Sequence, residues 1–321
     1  MKKYDVVALG ELLIDFTQNG LSAQGNGLFE ANPGGAPCNV LAMLNNLGKK
    51  TAFIGKVGND QFGLLLKSTL EELGIGTENL LLDDHVHTTL AMVHTLAGGD
   101  RDFSFYRNPG ADMMLTADEV REDLIASAKI FHFGTLSMTH EGVREATKKA
   151  LDAARAAGCL ISFDPNLRPP LWDSLDTAKE QVLYGLRCCD VLKISDNEIR
   201  WFTGEEDFTA GVEEIRKIRD IPLILVSMGP DGSRAYYGDT VVEAVPFLRE
   251  DTVETTGAGD TFCAAVLNFV LENGLEGLTR EQLKGMLRYA NAAASIVTTR
   301  KGALKVMPKP QEVEAFLASV E

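Results

Sequence analysis

The segment with the most chemical content runs Glu254-Thr-Thr-Gly257-Ala258-Gly259-Asp260-Thr-Phe-Cys-Ala-Ala-Val-Leu. Small residues at 257–259 let the backbone approach a ligand closely. The pattern that follows predicts a helix, with Phe262, Val266, Phe269 and Val270 on one face and a stop near Asn273-Gly274. Unpaired amides at the amino end of such a helix point at an anion, and the helix dipole favours negative charge there. The amides of Gly257, Ala258 and Gly259 would form the anion hole. An acidic side chain in that place helps no anion. Asp260 makes sense as a base that takes a proton from a hydroxyl while phosphate is transferred. The plainer alternative is an acidic residue in the first turn of a helix, where Asp is common.

Two familiar phosphate-binding patterns do not apply. A dinucleotide fingerprint would need a third glycine and would not lie this close to the carboxyl terminus. Gly58 and Gly63 have the separation of a P-loop, but Leu64-Leu65 occupy the place of the required Lys-Ser/Thr. Any ATP must be held in another way.

Positioning such a site requires strands and helices in alternation, and the chain supplies them. Tyr4 to Leu9, Thr51 to Val57, Lys129 to Phe133, Leu160 to Asp164, Val191 to Ile194 and Leu223 to Ser227 are short, nearly continuous apolar runs. Helical patterns separate them, among them Pro37 to Leu47 and Arg144 to Ala157, the latter ending at Gly158. This predicts an α/β fold: a mostly parallel sheet with helices on both faces. Two stretches break the rhythm. Thr17 to Pro33 is rich in Gly and Asn, and His87 to Tyr106 holds two polar–apolar alternations joined at Gly98-Gly99-Asp100, a hairpin pattern. Together they predict a small β-sheet lid, from about 12–33 and 84–112, on a single domain spanning 1–321.

The 321 residues suffice for a large core, and 45% apolar with 24% charged is ordinary globular composition. Acidic residues outnumber basic ones 46 to 31, a formal charge of −15, which argues against nucleic acid or an anionic membrane as partner. No apolar run approaches the ~18 residues of a membrane span, and Met1 to Gly10 reads as a strand rather than a signal peptide. Five cysteines without metal-ligand spacing suggest reduced thiols in a cytoplasm. The histidines at 85, 87, 94, 132 and 140 show no metal pattern.

Taken together, Thr256-Gly-Ala-Gly-Asp260 and Gly34-Gly35-Ala36-Pro37-Cys38-Asn39, with Gly48 and Gly58 following in order, resemble the ribokinase-like (PfkB) sugar kinases along essentially the whole chain. The resemblance implies a ribokinase-like fold, catalysis by Asp260, and use of ATP and Mg²⁺. It also implies that Asp15, which closes Gly10-Glu-Leu-Leu-Ile-Asp15, binds sugar hydroxyls beside Gly34, Gly35 and Asn39. A carboxylate can accept two hydroxyl protons, which suits a polyol. Ser195-Asp-Asn-Glu198 matches the family's Asn-x-x-Glu segment, with Ser195 replacing Asn, and implies an indirect role for Glu198 at Mg²⁺. Ser227-Met-Gly229-Pro-Asp-Gly232 and Asn291 match the family's nucleotide contacts. Two positions depart from the family pattern. Glu254 stands where Asp is usual, at a position tied to a K⁺ site together with Arg300-Lys-Gly-Ala303; Leu41 stands where a small residue is preferred.

Within the family, Arg107-Asn-Pro-Gly-Ala-Asp112 and Asp164-Pro-Asn-Leu-Arg168-Pro-Pro-Leu-Trp172 resemble fructokinases most, although 2-keto-3-deoxygluconate kinases share much of the second. Arg107 and Arg168 would reach substrate or phosphate oxygens as fixed forks of donors, unless they are surface arginines or pair with acidic neighbours. Phe103 and Phe105 would supply an apolar wall, or simply pack the lid. The expectation is phosphorylation of fructose at its 6-hydroxyl. The rivals are another sugar kinase, a sugar- or nucleotide-binding regulator without catalysis, and a metabolite-binding protein without phosphate chemistry. Sugar and ATP are the expected small-molecule partners, and lid strands could join two copies in a homodimer.

Overall fold

The computed structural model describes residues 2–95 and 101–320, with backbone alone at 94, 95 and 101–103. The chain opens with β1 (Tyr4–Leu9), β2 (Leu13–Leu21), β3 (Gly27–Gly34), α1 (Ala36–Asn46), β4 (Thr51–Gly58), α2 (Gln61–Glu72), β5 (Gly76–Asp83), β6 (Leu90–Thr95) and β7 (Arg101–Tyr106). Next come α3 (Glu122–Ala126), β8 (Ala128–Phe133), α4 (Glu141–Ala156), β9 (Leu160–Phe163), α5 (Leu175–Cys188), β10 (Val191–Ser195), α6 (Asp196–Thr203), α7 (Phe208–Ile218) and β11 (Leu223–Ser227). The last part holds β12 (Ser233–Tyr237), β13 (Thr240–Ala244), α8 (Ala258–Asn273), α9 (Arg280–Val297) and α10 (Pro310–Ser319).

Among the described residues, nine strands form one sheet in the order β13-β12-β11-β10-β9-β8-β1-β4-β5. Its pairings from β5 to β11 are parallel, and the terminal hairpin β12–β13 adds the antiparallel edge. Because a strand's side chains alternate, β1 sends Val6 and Ala8 to one core and Val7 and Leu9 to the other. The first core meets Leu41 of α1, Leu267 of α8 and Ala290 of α9; the second meets Ala150 of α4, Val182 of α5 and Val212 of α7. Each fully buried Val or Leu is worth about 1.5–3 kcal/mol, so the two layers clamp the sheet between them. This is the expected α/β architecture.

Helix boundaries follow local chemistry. α1 starts at Ala36, with Pro37 in the first turn where no amide bond is lost. α4 begins at Glu141, three residues before its clear apolar pattern, and gives way to Gly158 in the left-handed conformation, φ 65°. α8 lies between the capping residues Gly257, φ 77°, and Gly274, φ 75°. Its expected single apolar face is too narrow: every residue from Asp260 to Leu267 is buried, because the helix is wedged between α1 and α9.

Four strands form a separate small sheet in the order β3-β2-β6-β7, so the two β-rich inserts do pair with each other. Residues 98–100, the expected turn of the β6–β7 hairpin, lie outside the described residues, as does the side chain of Phe103. No helix among the described residues is long and apolar enough to cross a membrane.

Gly58 and Gly63, whose spacing mimics a P-loop, have a packing reason instead. A Cβ on Gly63 would overlap the Gly58 carbonyl oxygen, and a Cβ on Gly58 would press on the Thr88 amide nitrogen. Asp60 caps α2 through the Gly63 amide at 2.8 Å and also accepts from the Thr88 amide and hydroxyl, each at 2.8 Å. This knot fixes where the chain turns from the main sheet into β6. Gly63→Ala should therefore cost about 1–3 kcal/mol of stability through overpacking, read as a lowered urea midpoint at unchanged m-value.

Candidate active site

Parallel neighbours end on a common edge, so the loops leaving β1, β9, β10 and β11 gather at the sheet's carboxyl end, where α/β folds place ligands. A cavity of about 600 Å³ opens there, walled mainly by polar groups that include Glu11, Asp15, Asn39, Arg168, Lys193 and Asp260. A second cavity of about 640 Å³ is mainly apolar and is lined by Ser227, Gly229, Gly232, Phe247, Phe262 and Asn291, among others. Thr255 and Gly259 line both. The two cavities thus meet at the amino end of α8.

Asp260 stands at that meeting point, 9% exposed, and accepts a 2.8 Å hydrogen bond from Asn39 Nδ2. Burial pushes its carboxyl above the ordinary range, against the Asn39 bond and the positive charges of Lys193 and Arg168. A carboxylate with a raised pKa is a stronger base than a surface Asp. Gly257 caps α8, and Ala258 and Gly259 open its first turn; α8 pairs none of these amides internally, and that of Ala258 donates to the Thr255 carbonyl at 3.2 Å.

The sugar-side residues come from the lead-ins of β2 and α1. Asp15 sits on β2 and lines the polar cavity. A Cβ on Gly34 would overlap Asp15 Oδ2, so a side chain there would displace the Asp15 carboxylate from its present position. Gly35 adopts φ 129°, and its Cβ would run into the Glu11 carbonyl. Asn39 follows in the first turn of α1, close enough to reach across to Asp260. Phe105 of β7 contributes to the same wall.

Arg168 lines the cavity. Its Nη1 donates to Asn166 Oδ1 at 2.7 Å, and Asn166 holds a left-handed φ of 45°, a conformation Asn tolerates better than most residues. Arg107 is placed differently. Its guanidinium donates to Asp112 at 2.8 Å, Thr139 Oγ1 at 2.9 Å and the Leu136 carbonyl at 3.0 Å, and it does not line the cavity. The expected substrate fork at 107 is a buried clamp on the lid exit, which matches the acidic-partner alternative.

Ser195 and Glu198 also turn inward. They form the capping box of α6, with Glu198 Oε2 accepting from the Ser195 amide at 2.8 Å and Oγ at 2.7 Å. Oε1 accepts from the Leu167 amide at 2.7 Å. Glu198 therefore pins the loop that carries Arg168, while its neighbour Asn197 lines the cavity. Asn291 is similarly occupied: it accepts from Ser233 Oγ at 2.9 Å and donates to the Val245 carbonyl at 3.0 Å, shaping the apolar cavity's wall. Glu254 is buried, and its amide donates to the Thr298 carbonyl at 2.9 Å. Leu41 is fully buried in the core of α1, so its departure from a small residue changes packing only.

Three groups at the site were not singled out in the sequence. Lys193 and Asp164 form a buried ion pair at 3.0 Å. Burial works against both charges, but Asp164 and Glu198 outweigh it at Lys193, which stays a cation. Glu11 accepts from the Ala36 amide at 2.8 Å, tying β1's exit to the start of α1, and burial pushes its carboxyl up to about 7. A usable signal was present for each: a lysine inside the apolar run Val191 to Ile194, and acidic residues within two positions of the ends of β1 and β9. Among the described residues, no group of three His, Cys, Asp or Glu side chains could hold a metal.

The family model of the pfkB family carbohydrate kinases matches residues 3–310. Fructokinase-2 of Solanum lycopersicum is 41% identical over 315 residues, 97% of this chain and 95% of that protein. The crystal structure of a fructokinase with bound ATP from Xylella fastidiosa superposes with a TM-score of 0.89 at 29% identity, covering 100% of this chain and 99% of that one. A fructokinase from Vibrio cholerae O395, in a form with fructose, ADP and calcium ion bound, gives a TM-score of 0.86 at 27% identity over 98% of this chain and 99% of that one. The chain therefore belongs to the pfkB family of carbohydrate kinases, phosphotransferases that act on sugars.

Proposed function

We propose that the chain is an ATP-dependent fructokinase that phosphorylates D-fructose at its 6-hydroxyl, giving fructose 6-phosphate. The observation that carries this reading is the meeting of a polar, sugar-sized cavity and an apolar, nucleotide-sized one at Gly259, with Asp260 on the polar side. The fructokinase relatives, two of them solved with ATP or with fructose and ADP, support the choice of sugar and nucleotide.

In this mechanism Asp15, Asn39 and Arg168 hold the sugar, with Gly34 and Gly35 leaving room for it. Asp260 takes the proton from the hydroxyl as the new O–P bond forms. The amides of Gly257, Ala258 and Gly259 offset charge on the transferred group. Ser227, Gly229, Gly232 and Asn291 shape the nucleotide cavity. Mg²⁺ prefers phosphate oxygens and water with few carboxylates, and the donor set fits: Asn197 faces the cavity, while Glu198 acts indirectly by fixing its loop. When bound, the ion neutralises phosphate charge. A K⁺ site at Glu254 and the 300–303 loop belongs to the same reading; equal rates in K⁺ and in tetramethylammonium buffers would count against it. The small sheet acts as a lid, because β2 and β7 bring Asp15 and Phe105 over the sugar cavity and closure would exclude competing water.

Leu28, Phe29 and Tyr106 are exposed on this lid, 47%, 44% and 66%, and we read that face as a homodimer surface. Light scattering should give twice 34.9 kDa, and a single-chain mass contradicts it. Five buried, unpaired cysteines support a cytoplasmic location, which a secreted pool on cell fractionation would contradict.

ADP release tested with fructose, ribose, 2-keto-3-deoxygluconate and adenosine should show the highest kcat/KM with fructose; equal or better turnover of the keto acid would replace the assigned sugar. Asp260→Asn should lower kcat by about 10²–10⁴-fold while leaving fructose binding within a few-fold. Since the base must be ionised, activity should fall as pH drops through a pKa above the ordinary carboxylate range, and the residual activity of Asp260→Asn should lack that limb.

A further inference from the structure

A lysine at the centre of a parallel sheet is out of place unless something requires its charge there. Lys193 lies in β10 between Leu192 and Ile194, both fully buried, and its own side chain is 7% exposed. Taking an ammonium out of water is expensive even when it is paired. Its ammonium pairs with Asp164 at 3.0 Å from Oδ2 and donates a hydrogen bond to Oδ1 at 3.3 Å. Asp164 is in turn fixed by the loop it begins, accepting from the Asn166 amide at 3.2 Å.

The ammonium has a second neighbour. A Cβ built on Gly259 would lie 3.2 Å from Lys193 Nζ, so the lysine reaches up against the turn whose amides face the anion. Gly259 lines both cavities, and Lys193 lines the polar one beside Asp260. The ammonium thus stands under the doorway through which a group must pass from nucleotide to sugar. A side chain at 259 would crowd it, which gives that glycine a reason beyond backbone freedom.

The geometry points to Lys193 as a further catalytic residue, whose ammonium contacts the phosphoryl group as it crosses from ATP to the sugar. This rests on the kinase reading above. In the step, the sugar oxygen forms its bond to phosphorus and the bond to the departing ADP breaks, with the electron pair leaving on ADP. The hydroxyl proton goes to Asp260. Lys193 moves no proton; it offsets charge on the equatorial oxygens from beneath, where the amides of residues 257–259 do so from the helix end. Asp164 is the positioning residue that keeps the ammonium charged and aimed.

The test uses the purified full chain with MgATP and whichever sugar the wild type turns over best. Lys193→Met should lower kcat by about 10²–10³-fold with the sugar KM within about threefold. Removing the lysine strands the Asp164 charge in the interior, so Lys193→Met/Asp164→Asn, which buries neither charge, is the second variant, and it is read alone where the single variant does not fold. The same loss of kcat is expected in it. Ethylammonium should restore kcat of Lys193→Ala by about tenfold or more without stimulating the wild type, a rescue that a purely structural lysine would not show. Recovery of wild-type kcat in the double variant would mean that Lys193 merely neutralises Asp164, and would overturn the proposal, as would a loss confined to KM with no ethylammonium rescue. A wild type that releases no ADP with any sugar counts against the kinase reading itself. An active wild type with unaffected lysine variants counts against Lys193 alone.

Discussion

Asp260 is held out of water at the end of a helix whose dipole would welcome its charge, in a neighbourhood whose burial opposes it. Asn39 offsets part of that burial by donating to one carboxylate oxygen at 2.8 Å. That bond joins residues 221 positions apart, so it exists only when α1 and α8 are packed side by side. Everything that fixes α1 therefore fixes Asp260, the proposed base. Glu11 holds the Ala36 amide, Gly35 makes the turn before it, and the apolar residues Val40 to Leu44 bury the rest of the helix. The catalytic geometry is a consequence of core packing.

The two cavities divide the recognition between opposite physics. A sugar exposes hydroxyls in every direction, and the polar cavity, lined by Asp15, Asn39 and Arg168, offers carboxylate, amide and guanidinium groups that would match it. An adenine offers flat apolar faces, which the second cavity, lined by Phe247, Phe262 and the glycine-bearing turn 229–232, would match. Phosphates between them would need positive potential without water, which in the proposed mechanism comes from the α8 amides and the Lys193 ammonium. Net charge is −15, so this local field works against the surface as a whole and has to be built at short range.

What the sequence revealed follows the range of the interactions. The turn 256–260 could be read directly because its chemistry is local: glycines, a helix start and one carboxylate within five residues. The alternation of apolar runs and helices gave the main sheet, and period-two patterns gave the small one. The types and spacing of Arg107, Ser195 and Glu198 suggest a site, yet their side chains are taken up by partners within the protein. Type and spacing show that an arginine or glutamate matters, but not whether its partner is a ligand or an amide 31 residues away, as Leu167 is for Glu198. Lys193, Asp164 and Glu11 escaped notice for a related reason. Each needs a neighbour from another strand or helix before its charge makes sense, and pairings across the sheet are set by topology.

The central claim is that one carboxylate and one helix end act together on one hydroxyl and one phosphoryl group. A crystal structure of the chain with fructose and a non-hydrolysable ATP analogue tests it most directly. The account predicts the 6-hydroxyl within about 3 Å of the Asp260 carboxylate, with the terminal phosphate against the amides of Gly257, Ala258 and Gly259. A sugar bound with every hydroxyl out of reach of Asp260, or a terminal phosphate seated away from the start of α8, would contradict it.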